Sequence, residues 1–292
     1  MTAAPGALVV VATPIGNLSD LAPRAVEELT RADLVCCEDT RRTGGLLSHA
    51  GVGGATLRRV DAHTEAAAAA EVVARIAAGE RVALVTDAGT PGVSDPGARL
   101  VAAVVDAGLP VTAVPGPVAA VAALVLSGFA TDRFAVDGFL PRKGAERSAR
   151  LAALAAEHRT VVLYEAPGRV ARTLADLAGA CGPERRVAVA RELTKLHEEV
   201  WRAPLGEAVD RLGGTEVRGE VVLVLEGAGG ETTGGDDADV RAALRAARAR
   251  GLAPGRAAAE VAAALGRPRR EVYALAVDDP GDEPDAGAGG GS

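Results

Sequence analysis

The sequence has few residues of the kinds that hold disulfide-rich or metal-bound proteins together. Only three of its 292 residues are cysteine, and Cys36, Cys37 and Cys181 form no Cys-x-x-Cys pair. Cys36 and Cys37 are neighbours in a predicted strand, so their side chains should point to opposite faces of a sheet. We therefore expect neither a disulfide framework nor a metal site.

The chain also lacks long hydrophobic runs. No stretch approaches the roughly 18 uninterrupted apolar residues that predict a membrane-spanning helix. The first residues, "MTAAPGALVVVATPIG", have neither a basic flank nor a cleavage site after an apolar core, unlike a secretory signal. We therefore expect a cytoplasmic protein without a membrane partner.

Aromatic residues and lysine are both scarce. Aromatic residues make up 2% of the chain, so stacking alone would hold few bases of a nucleic acid. Of the 32 basic residues only Lys143 and Lys195 are lysine. An ammonium is a compact charge with a tunable pKa, so a lysine kept in an arginine-rich chain is either functional or a chance survival.

The net charge of −7 is unevenly distributed. Residues 228–239 and 278–292 contain no Lys or Arg and hold nine of the 39 acidic residues, which leaves 30 acidic against 32 basic residues elsewhere. The body is thus close to neutral, and RNA remains a candidate partner. Its basic clusters are Arg41–Arg42, Arg58–Arg59, Arg142–Lys143 and Arg267 with Arg269 and Arg270.

Apolar β-branched runs alternate with alanine-rich helical stretches, a pattern typical of α/β folds whose parallel strands are covered on both faces. The pattern predicts an α/β domain with a five-strand parallel sheet over residues 1–116 and a second α/β domain with a mixed sheet over 117–227. We expect a linker at 228–239, a small carboxy-terminal helical module that binds RNA at 240–277, and a disordered acidic tail at 278–292.

Acids and Gly-Pro turns gather where the predicted strands end, which is where open α/β sheets bind ligands. The stretch "LVTDAGTPGVSDPG" (84–97) starts as a buried strand and then holds two aspartates, two prolines and three glycines. Strand interiors exclude these residues, so the stretch is built for something other than packing. Six further predicted strands end in similar turns. Any one of them is ordinary loop chemistry, but seven on one edge indicate a ligand site.

The residues at this edge disfavour a nucleotide phosphate. The chain has no GxxxxGK[ST] motif, no GxGxxG opens its first helix, and "TPIGN" places a proline where such a loop needs backbone N–H donors. Acidic residues at 38, 39, 87 and 95 would repel phosphate. Carboxylates and glycine turns instead suit a cationic ligand with hydroxyl groups, approached closely by the backbone.

Eight motifs, in order, resemble those of the tetrapyrrole methylase superfamily of S-adenosylmethionine enzymes, and most closely those of its ribosomal RNA branch. They run from about Leu8 to Gly227, and "TPIGN", "EDTR" and "DAGTP" together are typical of that branch. The motifs are "VATPIGNLSDL", "CCEDTRRTGGLL", "LVTDAGTPGVSDPG", "VPGPVAAVAAL", "GFLPRKG", "YEAPGR", "ARELTKLHEEVWRAPLGE" and "GEVVLVLEG".

The resemblance implies a reaction, a fold and partners. The reaction transfers a methyl group from S-adenosyl-L-methionine to the ribose 2′-hydroxyl of a cytidine of 16S rRNA at the decoding centre, cytidine 1402 in RNA numbering. The donor lies in the cleft between the two α/β domains, and a homodimer acts on 16S rRNA within the 30S subunit. The implied donor contacts are Pro14, Asp87, Gly89, Thr90, Val118, Ala119, Tyr164 and Ala190.

Six residues are candidates to accept or orient the proton of the 2′-hydroxyl, and the sequence does not choose among them. They are Glu38, Asp39, Asp95, Glu165, Glu192 and Lys195. Correct placement of the attacking oxygen supplies roughly 7–11 kcal/mol, whereas a general base contributes ~10²–10⁴-fold in rate. We therefore expect the placement of the attacking oxygen to contribute more to the rate than any one side chain. For Lys195 a contact to RNA phosphate is an equally good explanation.

Seven basic residues are predicted to contact the RNA backbone, namely Arg41, Arg42, Arg142, Lys143, Arg267, Arg269 and Arg270. For the last three, a solvated helix face explains the pattern equally well.

Two other functions stay open, a C-methyltransferase acting on a tetrapyrrole or corrin and a non-catalytic RNA-binding assembly factor. A C-methyltransferase of this kind needs a broad apolar surface on which the macrocycle can lie. The chain has only two Tyr, one Trp and three Phe to form such a surface.

Overall fold

The computed structural model describes residues 6–61, 64–213, 217–228, 237–265 and 267–278. The chain divides into two compact units, Met1–Ala228 and Gly229–Ser292. None of the helices described is both long and apolar enough to span a bilayer.

The first unit begins with a sheet of five parallel strands, as the sequence pattern predicts. These are β1 (Ala7–Val11), β2 (Leu34–Cys37), β3 (Leu57–Arg59), β4 (Arg81–Leu84) and β5 (Val111–Val114), in the order β3-β2-β4-β1-β5. Cys36 and Cys37 are buried on opposite faces of β2, in separate clusters of the core. Burial raises the pKa of Cys36 to about 12, so this thiol stays neutral.

Four helices cover this sheet, two on each face. They are α1 (Pro23–Arg31), α2 (Thr40–His49), α3 (Glu65–Ala77) and α4 (Ala98–Asp106). Leu29 of α1 and Leu47 of α2 pack on one face, and Val72 of α3 and Leu100 of α4 pack on the other. Because both faces are covered, the central strands β1, β2 and β4 are almost wholly apolar, whereas the edge strands β3 and β5 include Arg58, Arg59 and Thr112.

The second sheet is mixed, as predicted. Its strands are β6 (Phe134–Phe139), β7 (Thr160–Glu165), β8 (Arg186–Arg191), β9 (Glu199–Pro204) and β10 (Val221–Leu225), in the order β6-β7-β10-β8-β9. Only β6 and β7 pair in parallel, and β8 and β9 form an antiparallel hairpin.

One helix covers one face of this sheet and three cover the other. The single helix is α5 (Ala119–Ser127), and the three are α6 (Gly144–Ala155), α7 (Val170–Cys181) and α8 (Leu205–Leu212). Helix α5 is apolar almost all round, so it buries Ala123 and Leu124 against the sheet and leaves Val121 and Val125 exposed.

In the second unit, the described residues 237–265 and 267–278 form three helices around a small core of their own. They are α9 (Asp237–Ala249), α10 (Pro254–Ala264) and α11 (Arg269–Asp278), and Leu244, Val261 and Val272 pack between them. Helix α9 begins three residues before the predicted start at 240, so residues 237–239 of the predicted linker are helical. Residues 229–236 of that linker and residues 279–292 of the predicted tail lie outside the described residues.

Candidate active site

A cavity of about 360 Å³ lies where the strand ends of both sheets meet. Its volume is within the range of about 300–1,000 Å³ that is usual for small-molecule sites. The residues that line it are Ile15, Ala88, Gly89, Thr90, Val93, Ser94, Asp95, Val118, Ala119, Phe139, Tyr164, Glu165, Ala166, Pro167, Leu193, Glu220, Val221 and Val222.

Five of the eight predicted donor contacts line this cavity, namely Gly89, Thr90, Val118, Ala119 and Tyr164. The other three lie elsewhere. Ala190 is buried in the core of the second sheet. Pro14 and Asp87 border a separate pocket beside Arg42. The structure therefore brings together the predicted contacts that follow β4 and β5 and the one at the end of β7, but not the side chain of Asp87.

The loop after β4 is tied to its neighbours by backbone hydrogen bonds. Gly89 exchanges two with Thr13, its N–H donating at 3.1 Å and its carbonyl accepting at 2.8 Å. The hydroxyl of Thr90 donates to the carbonyl of Pro117 at 3.2 Å. These bonds link the ends of β1, β4 and β5, so the wall of the cavity is fixed by three strands of the first sheet.

The far end of this loop is closed by a residue that the sequence did not point to. Glu65 is buried, and its Oε1 accepts hydrogen bonds from the backbone N–H groups of Gly97 at 2.9 Å, Arg99 at 2.8 Å and Leu100 at 3.2 Å. It thus caps the amino terminus of α4 from the start of α3. No local motif predicts a cap supplied from 32 residues away.

Asp95 is the acid of the cavity wall whose pKa is moved toward neutrality. Burial raises its pKa from 3.8 to about 6, and the charges of Glu38 and Asp87 act in the same direction. The residue before it, Ser94, has φ +65°, a conformation that costs a residue with a side chain about 1–3 kcal/mol. This strained turn places Asp95 in the wall.

Glu38, Asp39 and Asp87 form a group beside the cavity, at the start of α2. Asp39 caps α2 by accepting from the N–H of Arg41 at 2.8 Å, and this bond lowers its pKa. Asp87 accepts from the N–H of Asp39 at 3.1 Å and lies 3.5 Å from Nη1 of Arg42. Burial and Asp87 raise the pKa of Glu38. Asp39 and Asp87 are therefore occupied in holding the loop after β2.

Glu165 lines the cavity, and its carboxylate already has three polar partners within the chain. It accepts from the Ala166 N–H at 2.8 Å and from the Thr173 hydroxyl at 2.6 Å, and it lies 3.2 Å from Nε of Arg169. The side chain is buried. A buried carboxylate with these three partners holds Ala166, Thr173 and Arg169 in place.

Glu192 and Lys195 form an ion-paired group at the edge of the cavity. The ammonium of Lys195 donates to Glu192 at 2.8 Å and to Glu220, which lines the cavity, at 3.1 Å. Burial acts to lower the pKa of Lys195, but these bonds outweigh it and the pKa is raised. The bond from Lys195 lowers the pKa of Glu192. Lys195 is therefore protonated at neutral pH and cannot accept a proton there.

The predicted RNA contacts lie in three places. Arg41 and Arg42 are exposed on the first turn of α2, and Arg142 and Lys143 are exposed between β6 and α6. Arg269 and Arg270 are exposed on α11, in the second unit. Arg267 differs from these six in burial, because its side chain is only 18% exposed, and its guanidinium pairs with Asp237 at 2.9 Å and with Glu271 at 3.4 Å.

Comparison with known proteins defines the class to which this fold and cavity belong. Residues 7–209 match the family Tetrapyrrole (Corrin/Porphyrin) Methylases, and residues 234–279 match the RsmI C-terminal HTH domain. The solved structure of the methyltransferase CobJ superposes with a TM-score of 0.59 at 22% identity, over 76% of this chain and 95% of that one. At this identity the likeness establishes the shared fold.

Two curated proteins named ribosomal RNA small subunit methyltransferase I are similar over almost their whole length. The one from Synechocystis sp. is 45% identical over 94% of this chain and 98% of its own. The one from Xylella fastidiosa is 43% identical over 92% of this chain and 98% of its own. The chain therefore belongs to the tetrapyrrole methylase family and, within it, to the ribosomal RNA small-subunit methyltransferase I group.

This membership confirms the predicted family and the predicted fold of two α/β domains with a carboxy-terminal helical module. It also makes the chain an S-adenosylmethionine-dependent methyltransferase. The residues of the cavity suit such a donor. Ile15, Val118 and Leu193 offer apolar surface for a flat ring, and the carboxylates of Asp95 and Glu220 offer negative charge to a sulfonium.

Proposed function

We propose that this protein methylates the ribose 2′-hydroxyl of cytidine 1402 of 16S rRNA, within the 30S subunit, in the cytoplasm. Both relatives described above are named for the small-subunit RNA, and each aligns over 98% of its length. The observation that carries the proton-transfer step of this proposal is Asp95, a carboxylate in the cavity wall with a pKa of about 6. A hydroxyl must lose a proton when it is methylated, and this carboxylate is ready to take it near neutral pH.

Asp95 is accordingly our choice among the six candidate proton acceptors. When bound, S-adenosylmethionine supplies an electrophilic methyl group, whose bond to sulfur breaks with the electron pair going to sulfur, so that S-adenosylhomocysteine is the leaving group. Above about pH 6 the Asp95 carboxylate is ionised, and it accepts the proton that leaves the ribose oxygen as the new oxygen–carbon bond forms. Glu38 supports this role from outside the cavity, because its charge helps to raise the pKa of Asp95.

We propose Gly89, Thr90, Val118, Ala119 and Tyr164 as donor contacts, because all five line the cavity. Asp87 would act indirectly, through its contacts with Asp39 and Arg42 that hold the neighbouring loop. Pro14 and Ala190 would support the cavity wall from behind.

For the RNA we propose backbone contacts at the exposed basic residues Arg41, Arg42, Arg142, Lys143, Arg269 and Arg270. Arg267 would instead hold the second unit together through its ion pairs with Asp237 and Glu271.

We also propose that the protein acts as a homodimer. The exposed face of α5, with Val121 at 45% and Val125 at 68% exposure, supplies apolar surface for contact with a second copy.

Calorimetry with S-adenosylmethionine, combined with a methylation assay on 30S subunits that lack the modification, tests this function. We expect donor binding together with transfer of one methyl group into 16S rRNA. Tight donor binding without incorporation into either 30S subunits or free rRNA would favour a tetrapyrrole C-methyltransferase or a non-catalytic assembly factor.

A further inference from the structure

Phe139 is an aromatic side chain of the cavity wall that no step above has used. It lines the cavity, yet 56% of its surface is exposed to solvent. A large apolar side chain that is both in a cavity wall and exposed must lie at the mouth. Aromatic rings in such positions are the usual platforms for unstacked bases of RNA.

A β-bulge in strand β6 puts Phe139 on this face. Val136 pairs with Val162, but Gly138 pairs with Leu163, so Asp137 is one extra residue in β6. Side chains alternate between the two faces of a strand, and one inserted residue therefore reverses the faces of all that follow. Without the bulge Phe139 would point into the core against α6 and α7. The extra residue is itself held, because Asp137 forms an ion pair with Arg150 of α6.

The bulge also sets Phe139 opposite Tyr164, with ring centroids 5.7 Å apart and an interplanar angle of 38°. Tyr164 packs against the core cluster that includes Ala120 of α5. It therefore supports one side of the Phe139 ring. A ring held in this way loses little freedom when a base stacks on it.

The backbone after Phe139 is anchored by two arginines. Arg169 donates to the carbonyl of Leu140 at 2.7 Å, and Arg147 donates to the carbonyl of Pro141 at 2.9 Å. Arg147 is buried and also pairs with Asp176 at 2.7 Å. The partners of Arg169 include Glu165. This explains what the buried Glu165 carboxylate does, because it positions the end of β6.

Phe139 lies close to the proposed proton acceptor and to exposed positive charge. A Cβ at Gly138 would come 3.2 Å from Ser94 Oγ, so the residue before Phe139 lies next to the residue before Asp95 with no room for a side chain between them. Arg142 and Lys143 follow three and four positions later and are exposed. A nucleotide whose ribose faces Asp95 would therefore have its base near Phe139 and its neighbouring phosphates near two cations. That charge favours RNA over an apolar protein surface as the occupant.

We propose that Phe139 is a stacking platform for the base of the target cytidine and so fixes the nucleotide whose ribose is methylated. This inference rests on the proposed function and adds a binding residue to it. Loss of one base–aromatic stack typically weakens binding by roughly 5- to 150-fold. The loss should fall on the RNA and spare the donor.

The test compares Phe139→Ala, Phe139→Leu and Phe139→Trp with the wild-type protein. We expect Phe139→Ala and Phe139→Leu to lower kcat/KM for unmodified 30S subunits by roughly 5- to 150-fold, and to weaken 30S binding in the presence of S-adenosylhomocysteine by a similar factor. Phe139→Trp should stay within about threefold of wild type, because it keeps an aromatic face. The Kd for S-adenosylmethionine should change by less than about twofold in all three.

Phe134→Ala is the matched control, since Phe134 is 41% exposed on the same strand and lies outside the cavity wall. Its 30S affinity and kcat/KM should equal those of wild type. Four results would overturn the proposal: unchanged 30S affinity in Phe139→Ala, full function in Phe139→Leu, a clear loss of donor affinity, or a fall in molar mass that marks Phe139 as a subunit contact. If instead the wild-type protein methylates no ribose, the proposed function itself fails.

Discussion

The backbone N–H of Asn17 donates a hydrogen bond to the hydroxyl of Thr194 at 3.0 Å, and this bond joins the loop after β1 to the loop after β8. The cavity is lined by Ile15, two residues before Asn17, and by Leu193, the residue before Thr194. Thr194 has φ +65°, so its turn is strained for a residue with a side chain. The distance between these two loops sets the width of the cavity.

Gly16→Ala should force the two loops apart. A Cβ at residue 16 would lie 2.5 Å from Cγ of Lys195 and 2.6 Å from Oγ1 of Thr194, distances that no packed structure tolerates. Overpacking of this kind costs about 1–3 kcal/mol, so we expect the Kd for S-adenosylmethionine to rise roughly 5- to 150-fold by calorimetry. Gly179→Ala in α7 is the control, because its Cβ would contact nothing within 4 Å. Equal donor affinity in both variants would contradict this account of the cavity.

Asp95→Asn should lower kcat by about 10²–10⁴-fold while donor and 30S binding stay within a few-fold of wild type. In the wild-type protein, kcat/KM should rise with pH through a midpoint near 6, because the proton acceptor must be ionised. Glu38→Gln removes a charge that raises this pKa, so the midpoint should move to lower pH. If wild type and Glu38→Gln have the same pH profile, the charge of Glu38 does not influence the pKa of Asp95.

The same carboxyl should also make stability depend on pH. Its pKa in the folded protein, about 6, exceeds the value of 3.8 expected on unfolding, so the folded form holds the proton more tightly. Asp95 therefore favours folding below pH 3.8, and this contribution is lost as the pH rises through 6. We expect Asp95→Asn to melt at a higher temperature than wild type at pH 8 and by a clearly smaller margin at pH 5, because the penalty on the wild-type carboxyl builds up between pH 3.8 and 6. A constant difference would show that the carboxyl is solvated.

Glu65→Ala should lower the free energy of unfolding by about 1–3 kcal/mol, because it leaves the N–H groups of Gly97, Arg99 and Leu100 without their acceptor. Denaturant unfolding of the full chain measures this loss. Glu71→Ala, in the same helix, removes only ion pairs of a 38% exposed side chain with Arg58 and Arg75. Such pairs contribute about 0–1 kcal/mol, so the control should lose clearly less. Equal losses would contradict the capping role.

The salt dependence of 30S binding should separate the basic residues by role. Each phosphate contact that is removed lowers the slope of log K against log[salt] by about 0.7–0.9. The double variants Arg142→Ala with Lys143→Ala, and Arg269→Ala with Arg270→Ala, should each lower it by roughly 1.5. An unchanged slope would remove that pair from the RNA contacts.

Arg267→Ala provides the contrast, because its guanidinium is engaged with Asp237 and Glu271. We expect it to leave the salt slope unchanged and to lower the melting temperature of the helical unit. A slope reduced as much as in the double variants would show that Arg267 contacts phosphate.

The architecture could be predicted from the sequence because buried parallel strands and their covering helices leave a periodic apolar pattern. The positions of the strand ends followed from the same pattern, which is why five predicted donor contacts do line one cavity. The direction of the Asp87 side chain could not be predicted in the same way. Strand β4 ends at Leu84, and the turn that follows directs this side chain toward Asp39 and Arg42.

The features that the sequence did not predict depend on contacts between residues distant in the chain, on a single residue inserted into a strand, or on the burial of a side chain. The Glu65 cap acts across more than 30 residues. Phe139 faces the cavity only because Asp137 is inserted as a bulge, and no alternation of residues marks that insertion. The choice of Asp95 depends on how far each acid is buried and what each one contacts, which neither spacing nor residue type records.

Mass spectrometry of 16S rRNA tests the central claim most directly. Unmodified 30S subunits, from cells lacking this activity, are incubated with the wild-type protein and isotopically labelled S-adenosylmethionine, and the labelled nucleoside is then mapped. We predict one labelled methyl group on the ribose 2′-oxygen of cytidine 1402, and almost none with Asp95→Asn. A label on a base, at another nucleotide, or equal in both proteins would contradict the account.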